Sequence, residues 1–109
     1  MNTFFSENKR SYDNFKKQIP PNIQSIFDSL RDYCFSLGSN VIEDVRMHRI
    51  VFCKSFTFRW FADLEPEQDA VLLKIQRSRK EPNQTFRITV DDDLKQVKDY
   101  LKDAFKTIH

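Results

Sequence analysis

The alternation of apolar and polar residues predicts two amphipathic helices that flank a group of β-strands. Apolar side chains recur at helical spacing in the first third of the chain, at Ile23, Ile26, Phe27, Leu30, Cys34 and Leu37. Asn22 is expected to cap this helix and Gly38 to end it in a left-handed conformation. A second apolar stripe predicts a helix over Leu94–Ile108, capped by the acidic residues 91–93 at its positive end.

The segments between the helices are rich in β-branched and aromatic residues, which predicts strands. The expected strands cover residues 41–47, 49–54, 56–61, 71–77 and 86–90, and the second and third could instead form one bent strand. Residues 63–69 hold four acids and a proline and are expected to form a loop. Strands grouped between helices predict an α+β fold, an antiparallel sheet of about four strands with an N-terminal and a C-terminal helix packed on one face. The other face would be open to solvent or to a partner.

Length and composition indicate one domain over residues 1–109, of which the first ten residues could be disordered. The single glycine excludes glycine-rich phosphate-binding loops. No apolar run is long enough to span a membrane, and the N-terminus does not resemble a signal peptide, so a cytoplasmic protein without membrane contact is expected. Cys34 and Cys53 lie in apolar runs and are predicted to be buried free thiols.

Few residues have the spacing that catalysis or metal binding requires. His48 and Cys53 form no recognised zinc pattern, so no metal site, cofactor or catalytic residue is predicted. The acids of the predicted loop could hold a hard cation in a small metal-dependent hydrolase, the least favoured of the possible functions. An acid two residues before Lys74 would complete a nuclease-like pattern, but Leu72 stands there. These four acids are Asp63, Glu65, Glu67 and Asp69.

Basic residues in the second half of the chain are the clearest positive signal. If the apolar positions of the strands face the helices, Arg59, Lys74 and Arg87 share the outer face of the sheet. The turn after the 71–77 strand adds three more cations, Arg77, Arg79 and Lys80. A basic sheet face with aromatic neighbours is one way in which small domains bind single-stranded nucleic acid, although exposed sheets also carry such residues for solubility.

Two functions follow from these patterns. The first is a non-enzymatic binding module. Its partner would be nucleic acid, or a protein that acts on nucleic acid, and it would be bound through those six basic residues. The alternative is a protein-interaction or dimerisation module that uses the aromatic segment at residues 56–61. Exposed aromatic residues beside arginine would favour the first, and an uncharged apolar patch would favour the second.

From Tyr12 onward the chain resembles a family of small domains of unknown function that are often fused to endonuclease-like domains and labelled predicted transport protein. The similarity is carried by Tyr12 and Phe15, Pro21-Asn22-Ile23, Ile26-Phe27, Leu30-Arg31, Ser36-Leu37-Gly38, Phe61-Ala62-Asp63-Leu64-Glu65-Pro66, Val71-Leu72-Leu73-Lys74-Ile75 and Asp91-Asp92-Asp93-Leu94. The resemblance implies an α+β fold and a partner of the nuclease type, and it transfers no catalytic residue. Relatives tend to have a longer, glycine-bearing connection where this chain has residues 77–84.

Overall fold

A computed structural model of the chain describes residues 10–55 and 57–108. The possible disorder of the first ten residues therefore stays a prediction, because all of them except Arg10 lie outside the described residues. The helices are α1 (Tyr12–Lys16), α2 (Gln24–Ser36) and α3 (Lys95–Thr107), and a 3-10 turn at Pro21–Ile23 leads into α2. The strands are β1 (Val41–Val45), β2 (Ile50–Lys54), β3 (Trp60–Pro66), β4 (Val71–Ile75) and β5 (Gln84–Ile88).

The strands form one antiparallel sheet in the order β1-β2-β3-β4-β5, so the α+β class is confirmed with five strands rather than about four. The difference arises around β3. Residues 57–59 lie in a turn rather than in a strand, and Trp60–Pro66 is a strand where a loop was expected from residue 63 onward. Hydrogen bonding on both sides, to β2 and to β4, outweighs the poor strand preference of acids and proline, because Pro66 stands at the end of the strand.

Both long helices pack on the same face of the sheet. Phe35 of α2 meets Phe52 of β2 edge to face, with ring centroids 5.6 Å apart. Tyr100 of α3 stacks on Phe86 of β5 at 5.4 Å. The cross-strand register places Phe52 and Phe86 on one face, so the expected arrangement of the two helices is confirmed.

The apolar stripes identified in the sequence form the centre of this core. Leu30 of α2 and Leu101 of α3 are both fully buried. Around them lie further stripe and strand residues without solvent contact: Ile23, Phe27, Cys34, Phe52, Phe61, Leu64, Leu73 and Ala104. The helix periodicity therefore identified the core-facing side of each helix correctly.

The helix ends differ from expectation. Asn22 does not cap α2, and its amide instead donates to the Asp69 carboxylate at 3.3 Å. Gly38 has no positive φ; a Cβ there would lie 2.8 Å from the Asn40 side-chain oxygen and 2.9 Å from the Phe105 ring, so a larger residue would require these side chains to shift. At α3 the N-cap residue is Leu94, which forms no side-chain capping bond, so the predicted acidic cap is found only in that the Asp93 carboxylate accepts from the Lys95 amide at 2.9 Å.

Among residues 10–55 and 57–108, no helix combines the length and the apolar character that crossing a bilayer requires.

Candidate functional site

Three segments that are distant in sequence meet at one end of the sheet: the β2–β3 turn, the β4–β5 turn and the end of α3. The Gln76 amide donates to the Phe61 carbonyl at 3.1 Å, and the Gln76 side chain donates to the Trp60 carbonyl at 3.2 Å. Lys54 Nζ donates to the Ile108 carbonyl at 2.7 Å, which ties the end of α3 to β2. These bonds hold the three segments at fixed positions around a common space.

That space is a cleft of about 500 Å³. It brings together four of the six basic residues predicted from the sequence, together with two hydroxyl side chains. The lining residues are Arg59, Arg77, Ser78, Arg79, Lys80, Thr107 and Ile108. Guanidinium, ammonium and hydroxyl donors around one opening are suited to oxyanions, because charge-assisted hydrogen bonds to phosphate or carboxylate are strong. We call these residues the cationic cleft.

The four cations of the cleft are not equally available to a ligand. Arg77 donates through Nε to Asp103 at 2.5 Å and through Nη1 to Glu81 at 3.0 Å. Hydrogen bonding to Asp103, with the charges of both carboxylates, raises the pKa of Arg77 above its ordinary value, so its charge persists at every pH of interest. The other three, Arg59, Arg79 and Lys80, form no ion pair within residues 10–55 and 57–108. The cleft therefore has an excess of positive charge.

Lys74 and Arg87 lie elsewhere, on the sheet face opposite the helices. Lys74 is the cross-strand partner of Asp63 and of Thr85, and it alternates with the core residues of β4. Arg87 donates to Glu67 at 3.1 Å. The outer face was predicted correctly for these two residues.

Arg59 does not share that face, because it precedes β3 and lies in the turn. The pairing of β2 with β3 shifts register so that Phe52 faces Ala62 while Cys53 faces Trp60, which leaves Phe61 as an extra residue. Such a bulge breaks the alternation from which the position of Arg59 had been predicted.

The four acids Asp63, Glu65, Glu67 and Asp69 are engaged in ion pairs or, for Asp69, in a hydrogen bond from a neutral amide, rather than gathered around an open site. Arg49 donates to Asp63 at 3.1 Å and to Glu65 at 3.2 Å. Asp63 is buried, and its Oδ1 atom has no hydrogen-bond partner in the part of the chain that the structure describes. The remaining two acids pair separately, Glu67 with Arg87 and Asp69 with Asn22. Within the described ranges, no three His, Cys, Asp or Glu side chains are grouped closely enough to hold a metal ion.

The two cysteines are buried and not disulfide-bonded, as predicted. Burial raises the pKa of the Cys34 thiol and of the Cys53 thiol. A thiol of raised pKa carries little thiolate near neutral pH, so neither residue is suited to nucleophilic chemistry.

The β2–β3 turn holds one residue that sequence reasoning placed wrongly. Phe58 was assigned to a strand, on the side that faces the helices, whereas the residue is 70% exposed. Its φ is 54°, in the left-handed region that bulky residues rarely adopt. The pattern of apolar residues shifts phase near Lys54-Ser55, which suits a tight turn, but no glycine, asparagine or proline marks the left-handed position itself.

No protein-family model, curated protein or solved structure was found to match the chain, so the family resemblance of the sequence stays an expectation.

Proposed function

We propose that this chain is a non-enzymatic module that binds nucleic acid through the cationic cleft. The observation that carries the proposal is the convergence of Arg59, Arg77, Arg79 and Lys80 on one opening, although Arg59 lies about twenty residues before the others in sequence. Only two carboxylates pair with these four cations among the described residues, so a polyanion would find uncompensated charge there.

A chain of phosphates fits this arrangement better than a single small anion does. Successive phosphates can contact several cations of the cleft at once, and each contact releases a condensed counterion. The net charge of the whole chain is only +2, so the attraction would be local to the cleft rather than a property of the entire surface. The expected protein partner is an enzyme that acts on nucleic acid, and the expected location is the cytoplasm.

Three double variants with matched charge changes test the site. The cleft variant is Arg79→Gln/Lys80→Gln, which removes two neighbouring cations that form no ion pair among the described residues and leaves Arg77 paired with Glu81 and Asp103. The open-face variant is Lys74→Gln/Arg87→Gln. The control variant is Arg46→Gln/Lys95→Gln, which removes exposed cations at the other end of the sheet and at the start of α3.

Fluorescence anisotropy with labelled single-stranded DNA and RNA at several salt concentrations is the measurement. Wild type should bind in a salt-sensitive way, and the cleft variant should bind more weakly. Its plot of log affinity against log salt should be shallower by about 1.4, because each of two phosphates that are no longer neutralised accounts for about 0.7. The control should match wild type. If wild type shows no salt-sensitive binding at tens of micromolar protein, the proposal is wrong; if only the open-face variant binds more weakly, the interface lies on the sheet face instead.

Phe58 gives the interaction-module alternative one supporting observation, since an exposed aromatic ring can bind a protein. However, Phe61 is fully buried, and the neighbours of Phe58 are the polar Thr57 and Arg59. A dimer surface along residues 57–61 would thus be small. Sedimentation velocity at rising protein concentration tests it, with a concentration-dependent dimer as the supporting result.

A further inference from the structure

Phe58 adopts a backbone conformation that residues with a large side chain disfavour. Left-handed backbone brings the Cβ atom of an L-residue close to the following carbonyl, and glycine is the usual residue there. The residue recovers little of this cost by burial, because it is 70% exposed. A strained, exposed aromatic residue is therefore poorly explained by the stability of the fold, and such residues cluster at functional sites.

The turn around Phe58 is held by backbone hydrogen bonds. The Phe58 amide donates to the Lys54 carbonyl at 2.8 Å, and the Lys54 amide donates to the Arg59 carbonyl at 3.0 Å. The Ser55 amide donates to the Asn40 carbonyl at 2.8 Å. The described residues of the turn are thus tied by backbone hydrogen bonds, which lowers the cost of ordering it on binding.

Phe58 also lies directly beside the cationic cleft in sequence, since the next residue, Arg59, lines that cleft. The immediate neighbours of Phe58 in sequence, Thr57 and Arg59, are polar or charged, which favours a charged ligand over an apolar protein surface. Aromatic rings next to cationic grooves are what single-stranded nucleic acid requires, because bases stack on the ring while the phosphates contact the cations. In a duplex the bases are already paired and stacked, and the ring has no free base to contact.

We propose that Phe58 is a stacking platform for an unpaired base of a single-stranded nucleic acid whose phosphates occupy the cationic cleft. This inference rests on the proposed function, because the cleft must hold the backbone of the strand for the base to reach the ring. It adds that the protein discriminates strands by the presence of free bases.

An abasic oligonucleotide separates the two contributions, because it keeps the phosphates and lacks the bases. Affinity is measured by anisotropy for a labelled single strand, an abasic strand of equal length and a duplex. Stacking of one base is expected to make the base-bearing strand bind wild type between about 5-fold and 150-fold more tightly than the abasic strand. Phe58→Ala should bring the two strands to equal affinity without changing the affinity for the abasic strand.

Two further variants identify the interaction as stacking. Phe58→Trp should keep or increase the preference for bases, and Phe58→Leu, which is apolar without a π-face, should lose most of it. Met47→Ala is the control, since Met47 is 55% exposed in the β1–β2 turn at the other end of the sheet. The urea midpoint of each variant is measured alongside, so that a loss of binding is compared among folded proteins only.

The possible results distinguish the stacking role of Phe58 from the proposal that the cationic cleft binds nucleic acid. Equal, salt-sensitive affinity of wild type for the base-bearing and abasic strands overturns the stacking role of Phe58 and leaves the cleft proposal standing. A preference for bases that survives in Phe58→Ala, or is full in Phe58→Leu, also overturns it. Absence of salt-sensitive binding to any of the three probes overturns both.

Discussion

The Phe58→Gly variant should be more stable to unfolding than the Phe58→Ala variant, which is the reverse of the usual order of glycine and alanine. Left-handed backbone costs a residue with a Cβ atom about 1–2 kcal/mol, and the φ of Phe58 is 54°. Glycine escapes that cost but loses about 0.5–1 kcal/mol through the greater freedom of the unfolded chain. The difference leaves glycine ahead of alanine by about 1 kcal/mol. Loss of the largely exposed ring affects both variants equally, by about 0.5–1 kcal/mol, so Phe58→Gly should be close to wild type.

The assay is urea and thermal unfolding of wild type, Phe58→Gly and Phe58→Ala, followed by circular dichroism. A gap of about 1 kcal/mol corresponds to about 4–8 °C in Tm for a domain of this size. Lys102 supplies the control, because it is exposed in the middle of α3, where alanine should be more stable than glycine by about 1 kcal/mol. If the alanine variant is as stable as the glycine variant at position 58 while the Lys102 pair behaves normally, the backbone strain assigned to Phe58 does not exist.

Two further predictions concern the hydrophobic core and the loss of stability at low pH. Leu30→Ala and Leu101→Ala should each lower the free energy of unfolding by about 2–5 kcal/mol in urea titrations, because both side chains are fully buried, and a smaller loss would mean that the core readily collapses. At Asp28, burial acts to raise the pKa of the carboxyl, but hydrogen bonds from Lys16 and Tyr12 outweigh it and lower the pKa below its ordinary value. A lowered pKa in the folded state stabilises the fold above the unfolded pKa of about 3.9 and loses that effect as pH falls, so the urea midpoints of wild type and Asp28→Asn should differ at pH 6 and converge toward pH 3. A constant difference across that range would contradict the role of the carboxylate.

The helical part of the fold and the buried side of each helix could be predicted from the amino-acid sequence. Apolar residues at a period near 3.6 can be buried together only as one face of a helix, so Leu30 and Leu101 could be assigned to the core without knowledge of what they contact. The buried cysteines followed in the same way, from the apolar runs that contain them.

The central strand at residues 60–66, by contrast, depends on contacts that form only in the folded chain. Acids and proline predict a loop when a segment is considered alone. In the folded chain, Arg49 reaches across from the start of β2 to pair with Asp63 and Glu65, and the backbone is hydrogen-bonded by strands on both sides. Compensation of this kind depends on residues about fifteen positions away, which local propensity does not include.

The residues of the cationic cleft were likewise predicted only in part from the sequence. Composition and spacing identified Arg77, Arg79 and Lys80 as a basic turn, because they are neighbours in sequence. Strand alternation assigned Arg59 to a sheet face, and the extra residue in β3 together with the turn before it moves Arg59 to the opening of the cleft. Register and turn conformation arise from the pairing of whole strands, and a shift of one residue reverses the side on which every following side chain lies. The conformation of Phe58 likewise follows from the hydrogen bonds of its turn, so no property of the isolated residue could reveal it.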